Sequence, residues 1–569
     1  MNRKFKILFL AILIFGAFFR FYGLNWDDNW HLHPDERFLT MVATAIKWPV
    51  SFSQYLDTSV SPLNPHNAGF GFYVYGTWPV FLVKALAEWL GKGDYYQLTL
   101  VGRQLSAVFD LGILVLVFLI TRRLLKNPKP ALLAASFYGL MVLPIQLSHF
   151  FAVDPYLVFF LTLSFYIIIY LIELPVVILF VFLGLSFGLA VSAKVAAVLF
   201  VPIIALGFLV SLLHTRRLAR LVIGSLIFTL VGFFTVRLTQ PYLFANGTYF
   251  DTPLNPKVLA NWAQLKSFEN PDAWYPPGVQ WINTGPYLYP LANLTLWGLG
   301  LPLAAIALLS LPYVLLRYRR HLLTLGVIWI LSLFAYQGIQ FAKPMRYFYP
   351  LYPFLAVTSG VFIYDLIQKT KHSALHFSLI LALVLVWPVA FVSIYSRPHS
   401  RVLASDWILK NIPPGSALSC EHWDDCLPLG GPGPYTIIEY PLYNPDTPEK
   451  WQDMNAKLAK TDYILLTSNR LYGSITSVPD RYPITYRFYQ KLFNGSLGFK
   501  KIAEFTSRPN LPLPKFTTCL TPPKISYGTV ALPSQECPLL GLSFVDDYAD
   551  ETFTVYDHPK ILIFQKIKQ

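Results

Sequence analysis

Apolar runs of membrane-spanning length dominate residues 1–396, and they leave this chain few folds to choose from. Eleven can be read, at 5–24, 99–121, 131–151, 155–173, 175–193, 195–213, 220–238, 288–316, 322–340, 347–368 and 374–395. A helix needs about 20 apolar residues to cross a hydrocarbon core of about 30 Å, so each run predicts one span. The 569 residues are 54% hydrophobic and 13% charged, against roughly 25% charged in an ordinary soluble domain. A soluble globule is excluded, and the expected class is a polytopic α-helical membrane protein of about 11 transmembrane helices.

The net charge of +14 does not point to nucleic acid, and no nucleic-acid partner is expected. Residues 1–396 hold 27 Lys/Arg against 14 Asp/Glu, whereas residues 397–569 hold 18 against 17. The surplus lies in short clusters between apolar runs: Arg3, Lys4 and Lys6; Arg122, Arg123, Lys126 and Lys129; Arg216, Arg217 and Arg220; Arg317, Arg319 and Arg320; Lys369 and Lys371. These occupy alternate connections, and by the positive-inside rule they put the N-terminus in the cytoplasm. Eleven spans then carry residues 397–569 to the extracytoplasmic side of the plasma membrane. Cys420, Cys426, Cys519 and Cys537 all fall in that part, where an oxidising compartment permits disulfides. Of the three connectivities, the two local pairs are the expectation. The first run is long for a signal-peptide core and no small-residue cleavage site follows it, so it reads as a span.

The extracytoplasmic stretches 25–98, 239–287 and 397–569 are long enough to build a site, whereas the cytoplasmic connections are short. The first is the richest, reading Asn25-Trp26-Asp27-Asp28-Asn29-Trp30-His31-Leu32-His33-Pro34-Asp35-Glu36-Arg37. Apolar residues recur at helical spacing from Glu36 to Lys47, which predicts an amphipathic helix at the interface with Asp35 at or beside its start. Asp35 suits an N-cap, but one cap explains neither Glu36 nor the acidic residues upstream. Further along, Tyr73 and Tyr75 suit the headgroup region and also the faces and hydroxyls of a sugar.

Ionisable groups at a bilayer edge are functional candidates. Asp154 precedes Pro155 at the start of a run, where it also suits a helix N-terminus. Lys194, in Ser192-Ala193-Lys194, interrupts an apolar stretch on the side where the charge bias asks for no cation.

The first span followed by Asp35-Glu36, together with Gly102-Arg103-Gln104-Leu105-Ser106-Ala107, the Asp154 turn and Gly188-Leu189-Ala190-Val191-Ser192-Ala193-Lys194, resembles the GT-C glycosyltransferases. The likeness is to the protein O-mannosyltransferase and aminoarabinose transferase group, glycosyltransferase family 39, over roughly residues 5–240. Phe341-Ala342-Lys343-Pro344-Met345-Arg346-Tyr347 resembles a membrane-edge segment of bacterial relatives. His399-Ser400-Arg401 and Tyr556-Asp557-His558-Pro559 are similar to bacterial members with an extra C-terminal domain. The chain departs from the aminoarabinose transferases at Gly76-Thr77-Trp78-Pro79, where they carry a cation.

The resemblance implies transfer of a sugar from a polyprenyl-phosphate donor to an acceptor hydroxyl of a glycan, lipid or protein, with inversion at the anomeric carbon. Asp35 is the expected general base and Glu36 its alternate, since a carboxylate within reach of the acceptor hydroxyl must take its proton. Arg103, Lys194 and Arg346 are the expected donor-phosphate cations. Asp154, His33, Tyr73 and Tyr75 are expected to orient substrate or the loop helix. His31, His33, Asp35 and Glu36 are metal-capable, but donors so close along one segment rarely converge on one ion. A divalent metal is left open and no ligand is assigned.

The expected domains are a GT-C-like transmembrane part, 1–396, and an extracytoplasmic mixed α/β part, 397–569. The latter should have helices near 401–412 and 449–460, a strand at 463–466 and a closing strand or hairpin at 553–564. A transporter or flippase of lipid-linked sugar is the alternative; it calls for charges near mid-span, where Asp110 and Arg237 are the exceptions to an uncharged pattern.

Overall fold

A computed structural model describes residues 2–522 and 526–567. Helix occupies every one of the eleven apolar runs, though several are broken. Six helices are long and apolar enough to cross a bilayer: Tyr95–Leu125, Asp154–Glu173, Val195–Thr215, Leu218–Thr239, Met345–Ile367 and the apolar start of Ala374–Asn411. Pro128–Gly139 and Val142–Ser148 make a seventh as a pair bent by 59°. Val177–Ala193, Leu301–Arg317 and Leu323–Gly338 have 17, 17 and 16 residues, a rise of about 25 Å each, short of the roughly 30 Å core.

The chain is therefore a multi-pass membrane protein, with six or seven spans by length and composition among the described residues. The run 288–316 departs most from expectation. It begins as Leu288–Asn293, widens into a π-helical turn at Leu294–Leu299 and restarts after Gly300. Gly300 has φ +77°, and a Cβ there would lie 2.6 Å from the Trp387 ring. Only glycine accepts both that backbone and that approach.

Three charged residues inside the bundle, Arg20, Asp110 and Arg237, are fully buried and satisfied by protein. Arg20 pairs with Asp110 and donates to the carbonyls of Gly16 and Gly139 at 3.1 and 3.2 Å. Asp110 also accepts from the hydroxyls of Tyr138, at 2.5 Å, and Tyr349. A buried ion pair persists when its remaining lone pairs and protons are met. Arg237 likewise donates to the carbonyls of Thr248, Pro241 and Asn246 at 2.8–3.1 Å. The two exceptions to the uncharged pattern are thus structural ties, which removes the observation that would favour a translocation path.

Eight strands are present among the described residues: β1 (Ala417–Glu421), β2 (Thr436–Tyr440), β3 (Tyr463–Leu466), β4 (Phe499–Phe505), β5 (Asn510–Leu511), β6 (Thr517–Leu520), β7 (Gly541–Phe544) and β8 (Ile561–Lys566). They form a five-stranded sheet, β2-β1-β3-β8-β4, and a small one, β5-β7-β6. β1 is parallel to β2 and β3, and β8 is antiparallel to β3 and β4. Helices Ser400–Asn411 and Pro448–Lys460 fall where the sequence predicts them. Of the expected closing strand or hairpin the structure has the strand, β8, which starts later than expected because a short helix, Glu551–Thr554, precedes it. Both local disulfides form, Cys420–Cys426 and Cys519–Cys537.

The α/β part is bonded directly to the membrane part. The Gln146 amide donates to Phe553 O and Asp557 at 2.7 and 3.0 Å, and the Tyr395 hydroxyl to Asp557 at 2.9 Å. The Trp281 indole donates to Asp550 at 3.0 Å. Arg37 of the first loop pairs with Asp425 at 3.0 Å. These ties bring the segment before β8 against the first loop.

Candidate active site

The first-loop helix is Pro34–Ala45. Its N-cap is His33, whose Nδ1 accepts from the Glu36 N–H at 3.3 Å; Pro34 follows with the missing N–H that a first turn tolerates. Asp35 is therefore not the cap, and its carboxylate is available for other contacts. The helix buries Glu36, Leu39, Thr40, Val42 and Ala43, packing on Thr77–Trp89 and Tyr95–Leu125.

The two adjacent carboxylates have different surroundings. Glu36 is fully buried and takes two hydrogen bonds from Arg103, the Nε one at 2.9 Å, and one from the Phe151 N–H at 2.7 Å. Arg103 also grips Asp27 at 3.0 and 2.9 Å and Leu24 O at 2.6 Å, and lies 4.7 Å from the Trp26 ring. These bonds use all five guanidinium N–H groups. Arg103 has no donor left for a phosphate, and Glu36 has no path to an acceptor hydroxyl. The sequence expectation gave Arg103 a phosphate and Glu36 an acceptor proton; in the structure the two are bonded to each other and tie the first loop to helix Tyr95–Leu125.

Asp35 is only partly buried, with 24% of its side chain exposed, and pairs with Arg346, itself 26% exposed. Burial alone would raise its pKa, but Arg346, His33 and hydrogen bonds from Arg346 and Tyr75 outweigh that and hold the carboxylate well below the usual range. Burial and the neighbouring Asp35 push the Tyr75 hydroxyl well above its ordinary value, so it remains a donor. His33 lies between the rings of Tyr556 at 4.2 Å and Phe150 at 4.5 Å. Its burial lowers its pKa to about 4, leaving it neutral near pH 7.

Beside this pair stands a second. Helix Val177–Ala193 ends at Lys194, whose backbone is extended, and its ammonium bonds Asp154 at 2.8 Å. The Tyr347 ring links the two pairs, 4.8 Å from the Lys194 ammonium and 5.9 Å from the Arg346 guanidinium. Gly76 makes this closeness feasible. Its N–H donates to Ala193 O at 3.1 Å, and a Cβ would sit 1.9 Å from Ser192 O. Asp154 is thus the partner of Lys194; of the two roles expected for it, orienting the loop helix or the substrate, the first has no hydrogen bond to the loop helix behind it among the described residues. Tyr73 is buried, its hydroxyl donating to Gly76 O at 3.1 Å; it shapes the turn.

The metal-capable residues point to different partners. His31 faces the Thr99 hydroxyl at 3.1 Å, His33 caps the helix, Asp35 meets Arg346 and Glu36 meets Arg103. Among the described residues no group of three or more His, Cys, Asp and Glu side chains is arranged to hold a metal ion.

Sequence reasoning missed Tyr347, although it stands next to Arg346 in a segment already singled out. Tyr556 was likewise quoted without a role. An apolar groove of about 420 Å³ lies beneath Lys194, between helices Asp154–Glu173 and Val177–Ala193, lined by Phe160, Leu163, Ile167, Leu179, Phe182 and Leu189 among others. Phe160 is six residues along the helix from Asp154, about 9 Å down the membrane.

Residues 50–248 match the family model described as dolichyl-phosphate-mannose-protein mannosyltransferase. No curated protein matches the chain in sequence. Among solved structures, the chain is similar to the archaeal oligosaccharyltransferase AglB from Archaeoglobus fulgidus in complex with an inhibitory peptide and a dolichol-phosphate. That likeness has TM-score 0.53 and 13% identity, covering 86% of this chain and 72% of that one. A second structure of the Archaeoglobus fulgidus oligosaccharyltransferase, tethered to an acceptor peptide, gives TM-score 0.50 and 14% identity over the same shares. ArnT from Cupriavidus metallidurans bound to undecaprenyl phosphate gives TM-score 0.41 and 16% identity, covering 72% and 73%. The family match falls within the segment that carries the sequence resemblance, and the architecture shared with the two oligosaccharyltransferase structures bears out the expected fold, a helical membrane part with an α/β C-terminal part.

Proposed function

We propose that the chain transfers a glycosyl group from a polyprenyl-phosphate donor to an acceptor hydroxyl, with Asp35 as general base and inversion at the anomeric carbon. The observation that carries this reading is two ion pairs flanking Tyr347: Asp35–Arg346, both partly exposed, and Lys194–Asp154, of which the lysine is partly exposed and the carboxylate buried. Each offers one cation and one carboxylate at the membrane edge.

A donor phosphate competes for Arg346 and Lys194, and its polyprenyl tail lies in the apolar groove beneath Lys194. Drawing Arg346 toward phosphate takes away the main force holding the Asp35 carboxylate down, so donor binding makes Asp35 a stronger base. Asp35 then takes the acceptor O–H proton as that oxygen attacks the anomeric carbon and the bond to phosphate breaks. The phosphate leaves with the bond's electron pair, stabilised by fixed cations. Single displacement inverts the centre. Tyr75 holds Asp35 in place and offers a hydroxyl to the sugar. Of the two structurally similar oligosaccharyltransferases, one holds an inhibitory peptide and a dolichol-phosphate and the other a tethered acceptor peptide, which is in keeping with a lipid-phosphate donor and an acceptor of the protein class here.

The basic clusters argue for a cytoplasmic N-terminus, and the two disulfides argue for residues 397–569 on the oxidising side. Domain limits of 1–396 and 397–569 follow from the same reading. The test is transfer of labelled sugar from a panel of polyprenyl-phosphate sugars into membranes carrying the protein, with the product's anomeric configuration read by NMR. Transfer with inversion supports the mechanism, and retention of configuration overturns it.

A further inference from the structure

The membrane face opposite the carboxylate site has a larger groove, of about 820 Å³, within the 300–1,000 Å³ range of ligand pockets. One wall is a stripe of the first helix at helical spacing, Phe5, Leu8, Ile12 and Phe15, and the far walls include Leu133 and Leu381. Lys4 and Lys129 stand in its lining, both exposed. The grooves of about 420 and 390 Å³ elsewhere on the bundle have no Lys, Arg, Asp or Glu in their walls.

Length and charge identify an occupant. From Lys4 to Gly16 the first helix rises about 18 Å, close to the roughly 15 Å depth of one leaflet's hydrocarbon. An acyl chain entering beside Lys4 runs the groove and ends near Gly16. Lys129 lies in the first turn of helix Pro128–Gly139, where the helix dipole adds to its attraction for an anion. Gln368, also in the lining, offers an amide. The carboxylate one turn away, Asp365, already accepts from Tyr313, Tyr318 and Gln368 at 2.8, 2.7 and 3.1 Å.

We infer that this groove is a binding site for an anionic phospholipid, its phosphate headgroup held by Lys4 and Lys129 and one acyl chain lying along the first helix. The bound lipid joins the first helix to Pro128–Gly139 and to Ser373–Val392, and so stabilises the bundle at a distance from the catalytic face.

The full-length protein, delipidated in detergent, is titrated with phosphatidylglycerol, with phosphatidylcholine and with inorganic phosphate, and the unfolding temperature is followed. Phosphatidylglycerol is expected to raise it saturably, and the other two are not. Lys4→Gln/Lys129→Gln should weaken the phosphatidylglycerol effect on the order of thirtyfold in concentration, the factor for two lysines beside an anionic headgroup. Ala11→Trp, which fills the groove from an exposed position, should abolish it with both lysines intact. Equal shifts from the two lipids, an effect of phosphate alone, or a double variant that responds like the wild type would each overturn the site. Native mass spectrometry provides a second measurement: one retained phosphatidylglycerol is expected on the wild type and none on Ala11→Trp.

Discussion

Replacing Arg103 by Ala separates two accounts of this residue, phosphate ligand or internal brace. The change deletes two hydrogen bonds to Asp27, two to Glu36 and one to Leu24 O. Two carboxylates at 0% side-chain exposure then have no cation. Removing one partner of a buried ion pair costs about 3–5 kcal/mol, because the remaining charge stays out of water, and here two charges are stranded. The total stability of a folded domain is only about 5–15 kcal/mol, so the variant should lose much of its folded population. The assay is monodispersity and unfolding temperature in detergent by fluorescence-detected size exclusion, beside the transfer rate. A marked fall in both is expected. A variant as heat-stable as the wild type but without transfer would refute the brace and restore Arg103 to the phosphate site. Asp27→Asn/Glu36→Gln in the Arg103→Ala background tests the cause directly: neutralising the stranded pair should recover part of the lost stability.

Other expectations concern separate parts of the molecule. Arg346→Gln should raise the donor KM and remove the largest of the forces that hold the Asp35 pKa down, so the acid limb of the transfer profile should move toward higher pH. His558 lies between Asp557 and Asp546 at 2.5 and 2.9 Å; burial opposes its charge, but the two carboxylates push its pKa to about 10. A raised folded-state pKa gives stability that is full below about 6.5, the unfolded value, and lost as pH rises through about 10. The unfolding temperature of wild type should therefore fall across that window and that of His558→Gln much less. Opening the disulfides, which close sequence separations of 6 and 18 residues, should cost about 2 and 3 kcal/mol by chain entropy, measured as Tm of Cys426→Ser and Cys537→Ser. In intact cells under reductant, an impermeant maleimide should label these cysteines if the C-terminal part is extracytoplasmic, and should leave them unlabelled if it is not.

The sequence made Asp35, Lys194 and Arg346 visible because an ionisable side chain at a bilayer edge has few inert explanations. It could not assign their partners. Arg103 and Lys194 look alike as cations at span ends, and only the fold reveals that Asp27 and Glu36 converge on one and Asp154 alone on the other. His33 reads as a metal or substrate residue until the backbone shows it capping a helix that begins at Pro34. Tyr556, near the chain's end, was visible only inside the Tyr556-Asp557-His558-Pro559 resemblance, with nothing to place its ring on His33; sequence periodicity carries no information about contacts between segments hundreds of residues apart. Hydropathy likewise marked every apolar run but not the break at Gly300, where the Trp387 ring leaves no room for a side chain.

The central claim is that Asp35 takes the acceptor proton, and the most direct measurement is the single-turnover transfer rate of purified Asp35→Asn with donor bound at saturation. General-base catalysis contributes about 10²–10⁴-fold. The account predicts a loss of that order with donor affinity kept or improved, since Arg346 no longer has a competing carboxylate. A rate equal to wild type in that experiment would contradict it.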